Sequence, residues 1–142
     1  MKKKISILGA TGSIGISALS IIDKKKFFFN IVLLSSNKNF NLICKQIKKY
    51  KPKYYVINDL KIFNKVKKKF KKSKVKIINC FDFNDKNIKS EIVISAIPGV
   101  AGLNPTINII DKTKRILIAN KESIICGWNL IKEKAKKNKT KI

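Results

Sequence analysis

Three clusters of glycine and polar residues in this sequence have the types and spacing that nucleotide chemistry requires. In the first, ILGATGSIG, Gly9, Gly12 and Gly15 recur every three residues directly after an apolar run. Such a triplet permits a tight turn, close approach of backbone amides to a pyrophosphate, and close packing of a helix on a strand. Ser13 and Ile14 open the helix that follows, where free N–H groups and the helix dipole favour an anion. We favour dinucleotide binding over the alternative, a glycine-rich turn without a ligand.

The second cluster, SSNKN at residues 35–39, follows the second apolar run and bears on the choice of dinucleotide. NAD-binding domains usually carry a carboxylate near this point, where it binds the ribose 2′-hydroxyl. Here Ser36, Asn37, Lys38 and Asn39 supply hydrogen-bond donors and one positive charge instead. A lysine pairs with a 2′-phosphate that a carboxylate would repel, so the cluster predicts NADP(H). The alternative is that Lys38 is one more of the many surface lysines.

The third cluster, ANKES, sets an amide, a cation and an anion directly after another apolar run, Ile116–Ala119. Asn120 could bind a nicotinamide or ribose, Lys121 a phosphate or hydroxyl of a substrate, and Glu122 the ribose hydroxyls. The same residues also suit a helix start, with Asn120 as the cap and Glu122 in the first turn. The two interpretations are compatible, because the start of a capped helix can also border a ligand.

A fourth stretch, SAIPGVAGLNPT at residues 95–106, also follows an apolar strand. Ligands bind at the carboxyl ends of strands in open parallel sheets. Gly99 and Gly102 would allow the backbone to come close to another group there. The alternative, an ordinary Gly-Pro turn, is equally consistent with these residues alone.

The elements that must position these clusters follow from apolar periodicity. In the helix at 13–24, the residues Ile14, Ala18, Leu19 and Ile22 share one face, Asp59 caps the third helix, and Pro105 stands in the first turn of the fourth. Apolar strands separated by helices predict a doubly wound α/β domain, a parallel sheet with helices on both faces. The predicted strands are 4–8, 30–34, 53–57, 74–79, 91–95 and 115–119, and the predicted helices are 13–24, 40–50, 59–72, 104–112 and 122–137.

The composition restricts the class of protein. The 142 residues carry a net charge of +25, which favours nucleic-acid binding on its own. However, Arg115 is the only arginine, and Lys, Asn, Ile and Phe are abundant together, as AT-rich genomes encode. The lysines also fall on polar helix positions, as in KVKKKFKKSK. We therefore favour compositional drift and expect no specific nucleic-acid partner.

Other absences restrict the chemistry and the cellular compartment. The chain has no histidine, which excludes Ser-His triads and His-based metal sites within these residues. Cys44, Cys80 and Cys126 form no CxxC pair, so we expect reduced thiols in the cytoplasm and no zinc. No apolar run approaches the roughly 18 residues of a membrane span, and glycines interrupt the apolar N-terminal run that resembles a signal peptide.

The three motifs GATGSIG, AIPGVAGL.PT and LIANKES.I..G together resemble the N-terminal part of 1-deoxy-D-xylulose 5-phosphate reductoisomerases. GATGSIG alone is shared with other nucleotide-binding families, but ANKES after GVAGL is far more specific. The resemblance implies a Rossmann-like sheet, a cytoplasmic homodimer, NADPH, and a divalent metal, Mn²⁺ or Mg²⁺. It also implies the conversion of 1-deoxy-D-xylulose 5-phosphate, a sugar phosphate, to 2-C-methyl-D-erythritol 4-phosphate in isoprenoid biosynthesis.

The resemblance also implies roles for individual residues. Those at the NADPH pyrophosphate would be Thr11, Gly12, Ser13 and Ile14. Asn37, Lys38 and Asn39 would lie at the 2′-phosphate, Asn120 and Glu122 at the cofactor, and Lys121 at the substrate phosphate.

Two departures from the family accompany the resemblance. The family often has glycine at the position of Asn37, so the 2′-phosphate loop would differ in shape. The resemblance covers only about the first third of the family's length, without the later DSEH segment and its metal ligands.

We therefore expect residues 1–142 to form an NADPH-binding domain, with residues from about 120 leading toward a catalytic domain. Alone it should be inactive; alternatives are a module that only holds a dinucleotide, and a basic nucleic-acid-binding protein.

Overall fold

Six parallel strands form one twisted sheet in the computed structural model, which describes all residues from 1 to 142. Each strand pairs with its neighbours in parallel, in the order β4-β3-β2-β1-β5-β6. The strands are Lys3–Leu8 (β1), Phe29–Ser36 (β2), Tyr54–Ile57 (β3), Lys76–Ile78 (β4), Ser90–Ser95 (β5) and Thr113–Ile118 (β6). The helices are Ser13–Lys24 (α1), Phe40–Tyr50 (α2), Leu60–Lys69 (α3), Leu103–Ile109 (α4) and Lys121–Lys137 (α5).

The strand order reverses at β1, which lies between β2 and β5. The chain builds the sheet outward from β1 to β4, then crosses back through residues 79–89 and starts β5 on the other side of β1. The connections on either side of β1 therefore diverge, which opens a crevice beyond the carboxyl ends of β1 and β5. The predicted doubly wound α/β fold is confirmed.

The sheet has an apolar core on each face, because alternate side chains of each strand point to opposite sides. Tyr54 and Tyr55 illustrate this, since consecutive residues of β3 lie in different cores. The core under α1, α2 and α3 contains Ile5, Ile7, Leu19, Ile22, Leu34, Ile43, Ile47, Tyr55, Ile57 and Val66, among others. The core under α4, α5 and the crossing segment contains Leu8, Leu33, Tyr54, Val56, Phe83, Ile88, Val93, Ile109, Ile116 and Ile131, among others.

Several details differ from the predicted elements, and α3 and β4 are shorter than the predicted helix 59–72 and strand 74–79. Ile14 was expected on the buried face of α1, but its side chain is 44% exposed. Gly15 is the buried residue in the first turn of α1, where it packs against the Gly9–Ala10 backbone. The predicted helix at 104–112 is a shorter α4 followed by a 3₁₀ turn, Ile110–Lys112.

Cys44 is buried, Cys80 and Cys126 are exposed, and all three are free thiols. None of the helices combines the length and apolar character that crossing a membrane requires.

Candidate nucleotide-binding cleft

A cavity of about 260 Å³ lies at the point where the strand order reverses. Chain segments from the carboxyl ends of five strands meet there: the glycine loop after β1, the end of β2, Asn58 after β3, Phe81 after β4, and the loop after β5. Its lining contains no carboxylate. The lining residues are Gly9, Thr11, Gly12, Ser35, Ser36, Asn37, Asn58, Phe81, Ile97, Pro98 and Ala101.

The three glycines after β1 have different reasons for being glycine. Gly9 has φ of 85°, and a Cβ there would lie 2.6 Å from the carbonyl oxygen of Ala96. A Cβ on Gly15 would clash with the backbone of the loop, 2.7 Å from Cα of Ala10. At Gly12, by contrast, a Cβ would meet only the Gly9 carbonyl oxygen at 3.5 Å, an ordinary contact. The fold therefore requires Gly9 and Gly15, whereas Gly12 leaves open space at the cavity.

The amino end of α1 borders this cavity and has no side-chain cap. Its first intrahelical donor is the amide of Ile16, which bonds to the carbonyl of Gly12 at 2.9 Å, so the amides of Ser13 and Ile14 have no acceptor within the helix. The free N–H groups and the helix dipole make this end attractive to an anion. The other helices of ten or more residues are capped by the side chains of Asn39, Asp59 and Asn120.

The polar loop after β2 is exposed along its length. Asn37 lines the cavity, and Lys38 forms no ion pair, so its ammonium group is available to an anionic ligand. Asn39 caps α2, because its Oδ1 accepts from the amide of Leu42 at 3.1 Å. The loop therefore presents a positive charge beside the cavity, with one of its amide side chains already bonded.

Asn120 is 4% exposed, and its side chain is fully hydrogen-bonded within the protein. Its Oδ1 accepts from the amide of Ser123 at 3.0 Å, which caps α5 as predicted. Its Nδ2 donates to the carbonyl oxygens of Ile97 and Gly99, the latter at 2.9 Å. Donation from this amide to a nicotinamide or ribose would require one of the two Nδ2 bonds to break. In the structure, Asn120 fastens the loop after β5 to the start of α5.

The contact around Asn120 also explains one glycine of the 95–106 stretch. A Cβ on Gly102 would lie 2.5 Å from the carbonyl oxygen of Ile97 and would collide with Nδ2 of Asn120. The group that approaches Gly102 closely is therefore this internal amide. At Gly99 a Cβ would meet nothing within 4 Å, but its φ of 73° lies in the left-handed region that favours glycine.

The structure unites only part of the predicted site around the cavity. Lys121 is exposed and Glu122 is half-buried in the first turn of α5, at the same edge of the sheet but outside the cavity lining. Of the predicted residues, those that line the cavity are Thr11, Gly12 and Asn37, while Ser13, Ile14, Lys38 and Asn39 follow them in sequence.

Two lining residues lie outside the clusters predicted from the sequence: Asn58 and Phe81. Asn58 follows β3, so the rule that placed the other clusters at strand ends applies to it. Phe81 belongs to the crossing segment, which has no strand or helix pattern, and no signal in the sequence indicates its place.

A larger cavity, about 940 Å³, lies at the opposite edge of the sheet and is lined by six lysines but by none of the predicted site residues. Helix carboxyl ends approach that edge, so the backbone there offers acceptors rather than the amide donors found at α1.

No group of three or more Asp, Glu, Cys or His side chains is placed to hold a metal ion. The residues present thus suit a dinucleotide and do not suit a divalent cation.

Known proteins share the sequence pattern and the fold of this chain. The sequence model of the 1-deoxy-D-xylulose 5-phosphate reductoisomerase family matches residues 5–127. The reductoisomerase of Pelagibacter ubique is 49% identical over 97% of this chain and 37% of its own length. That of Clostridium novyi is 40% identical over 99% of the chain and 38% of its own length.

Solved structures of reductoisomerases superimpose on the chain. The Zymomonas mobilis enzyme in complex with NADPH has a TM-score of 0.89 at 29% identity and covers 99% of the chain and 38% of its own. A DOX-P reductoisomerase in complex with magnesium has a TM-score of 0.88 at 27% identity, over 99% of the chain and 36% of its own. The chain spans a little over a third of the length of the relatives it matches. The chain belongs to the 1-deoxy-D-xylulose 5-phosphate reductoisomerase family.

Proposed function

We propose that this chain binds NADPH as the cofactor-binding part of a 1-deoxy-D-xylulose 5-phosphate reductoisomerase. The observation that carries the proposal is the uncapped amino end of α1 beside a carboxylate-free cavity, with an unpaired lysine in the next loop. The Zymomonas mobilis relative that contains NADPH supports the choice of cofactor. The proposed reaction converts 1-deoxy-D-xylulose 5-phosphate to 2-C-methyl-D-erythritol 4-phosphate in isoprenoid biosynthesis, and NADPH supplies the hydride.

The chain's own residues then act mainly as anchors for the phosphates. The free amides of Ser13 and Ile14, with Thr11 and Gly12, bind the pyrophosphate, because α1 has no other acceptor for those N–H groups. Lys38 pairs with the 2′-phosphate, and its neighbours Asn37 and Asn39 contribute polar contacts. The wall opposite is the loop after β5, which Asn120 holds in place.

The start of α5 connects the cofactor to the substrate in this proposal. Glu122 accepts from ribose hydroxyls, and Lys121 binds the phosphate of the sugar substrate through its exposed ammonium group. Both lie in the first turn of a helix at the carboxyl edge of the sheet, where ligands of open α/β sheets bind. Asn120 acts as a support here and as a direct ligand only if it exchanges an internal bond.

The remaining properties of the family extend the proposal beyond residues 1–142. We assign these residues to one NADPH-binding domain, with the segment from about 120 leading toward a catalytic domain, in a cytoplasmic homodimer. Since these residues do not suit a divalent cation, Mg²⁺ or Mn²⁺ would be held by other parts of the enzyme, and no step through the metal is assigned to this chain. The 142-residue chain alone should bind NADPH and should not turn over substrate.

Calorimetric titration of the chain with NADPH and NADH tests the proposal. NADPH should bind more tightly than NADH, and Lys38→Glu should weaken NADPH binding by about ten- to hundredfold, because a lost pair to phosphate and a new repulsion together cost ~1.4–2.8 kcal/mol. NADH affinity should change little. Lys68→Glu, which changes an exposed lysine of α3 by the same two charges, is the matched control and should change neither. Equal NADPH affinity in Lys38→Glu and the control would refute the 2′-phosphate assignment.

Nucleic-acid binding is the second candidate, supported by the net charge of +25 and the six lysines around the large cavity at the amino edge. Its predicted signature is DNA affinity that exceeds NADPH affinity, falls steeply with salt, and is unaffected by Gly12→Val. Dinucleotide binding predicts the reverse, because a valine side chain at Gly12 fills the space at the cavity. Metal-dependent turnover by the chain alone would contradict its expected inactivity.

A further inference from the structure

A line of buried polar side chains runs beneath the cleft, from the end of β2 to the glycine loop. Ser36, Tyr55 and Gln46 are only 7%, 0% and 3% exposed. The Tyr55 hydroxyl donates to Oε1 of Gln46 at 2.6 Å, and Nε2 of Gln46 donates to the carbonyl oxygen of Ala10 at 2.8 Å. Because Tyr55 has one hydroxyl hydrogen, Ser36 must be the donor in the 2.7 Å bond between the two hydroxyls.

The two ends of this line reach the two loops that surround the cofactor in the proposed function. Ala10 lies inside the glycine loop, and Ser36 directly precedes Asn37, the first residue of the proposed 2′-phosphate loop. Ser35 adds a second connection, since its hydroxyl and carbonyl oxygens accept from the amides of Gly9 and Ala10 at 3.0 and 2.7 Å. The glycine loop is thereby bonded from two sides to β2 and α2.

The chemistry of these residues is not what packing alone would select. Tyr55 lies among the apolar side chains of the core under α1, α2 and α3. Buried polar groups cost free energy unless every one is bonded, and an apolar set of the same volume would avoid that cost. Burial raises the pKa of the Tyr55 hydroxyl, so it stays protonated and remains a donor. The bonds are consistent in direction from Ser36 to Ala10, which strengthens each of them.

We propose that Ser36, Tyr55 and Gln46 are positioning residues that hold the pyrophosphate loop and the 2′-phosphate loop at a fixed separation, and thereby set the preference for NADPH over NADH. The proposal rests on the proposed function. The pyrophosphate and the 2′-phosphate belong to one molecule, so both can be bound fully only when the two loops have the matching separation. Holding the loops in advance removes the cost of ordering them on binding. NADH lacks the 2′-phosphate and does not depend on that separation.

Two consecutive tyrosines of β3 provide a matched test. Tyr54 and Tyr55 are both buried, and each donates one 2.6 Å bond, but Tyr54 donates to Asp85 on the other face of the sheet. Tyr55→Phe should lower the affinity for NADPH by about tenfold, equivalent to ~1.4 kcal/mol, and the affinity for NADH by less than about twofold. Tyr54→Phe should leave both affinities unchanged, although it removes an equally short bond. Calorimetric titrations of both variants with both nucleotides measure these effects, and urea unfolding confirms that each is folded.

The outcomes separate this proposal from the one on which it rests. Failure of the wild-type chain to bind either nucleotide would refute the proposed function itself. If the wild type binds NADPH, an unchanged ratio of NADPH to NADH affinity in Tyr55→Phe would overturn the positioning role, including a case in which both affinities fall equally. If Tyr55→Phe does not fold, Gln46→Met, which does not border the cavity, decides in the same way.

Discussion

The structure predicts that Gly12→Ala will separate nucleotide binding from folding. An added Cβ at Gly12 meets only the Gly9 carbonyl oxygen at 3.5 Å, and its φ of −78° and ψ of 169° are open to alanine. Alanine is a poorer N-cap than glycine, but it also restricts the unfolded chain, and these effects of about 0.5–1 kcal/mol oppose each other. We therefore expect the free energy of unfolding to change by less than about 1 kcal/mol.

The effect on binding should be larger. A methyl group where the pyrophosphate approaches the backbone overpacks the contact, which costs about 1–3 kcal/mol. At about 1.4 kcal/mol per factor of ten, NADPH should bind roughly five- to hundredfold more weakly. Calorimetric titration measures the affinity, and urea unfolding followed by fluorescence of Trp128, the single tryptophan, measures the stability.

Gly15→Ala is the control substitution in the same loop. Its Cβ would lie 2.7 Å from Cα of Ala10, a backbone atom that cannot move aside cheaply, so stability should fall by about 1–3 kcal/mol. Wild-type NADPH affinity in Gly12→Ala would refute the placement of the pyrophosphate at this loop. A loss of stability in Gly12→Ala equal to that in Gly15→Ala would refute the steric argument.

Two further predictions concern stability. Hydrogen bonds from Tyr54 and from the amide of Asn87 lower the pKa of Asp85 from 3.8 to about 2. Because the pKa of Asp85 is lower in the folded protein, its carboxylate stabilises the fold above pH 3.8, and this stabilisation is lost as the pH falls toward 2. Asp85→Asn should therefore make the free energy of unfolding in urea depend less on pH between these values. Asn120→Asp should lower the free energy of unfolding by about 1–3 kcal/mol, because a carboxylate oxygen would then face two carbonyl oxygens. Asn39 also caps a helix but does not donate to carbonyls, so Asn39→Asp should change the free energy of unfolding by less than about 0.5 kcal/mol in the same assay.

The predictions that depend only on residues close together in the sequence are confirmed by the structure. The predicted spans of the first two helices, 13–24 and 40–50, coincide with α1 and α2. Asp59 and Asn120 cap the next turns as expected, since a cap bonds to an amide three residues along. The alternation of strands and helices was likewise enough to predict a parallel sheet covered on both faces.

The errors and omissions arise where a residue's environment comes from a distant part of the chain. Ile14 has helical spacing with buried residues, yet it is exposed, and Gly15 is the buried residue of that turn. Asn120 is predicted to cap α5 and to border the cofactor, and only the fold shows that its amide also bonds to carbonyls more than twenty residues away. The reason for glycine at position 102 becomes visible in the same contact.

The sequence by itself determined the glycine loop, the polar ends of the strands and the fold class, because turn geometry, capping and apolar periodicity act over a few residues. Only the tertiary structure decided which strand ends meet, because the order of parallel strands depends on how whole helices pack across the sheet. Gln46 and Ala10, 36 positions apart, show the difference. Neither residue belongs to a recognisable pair in the sequence, and their bond exists because α2 packs beside the end of β1.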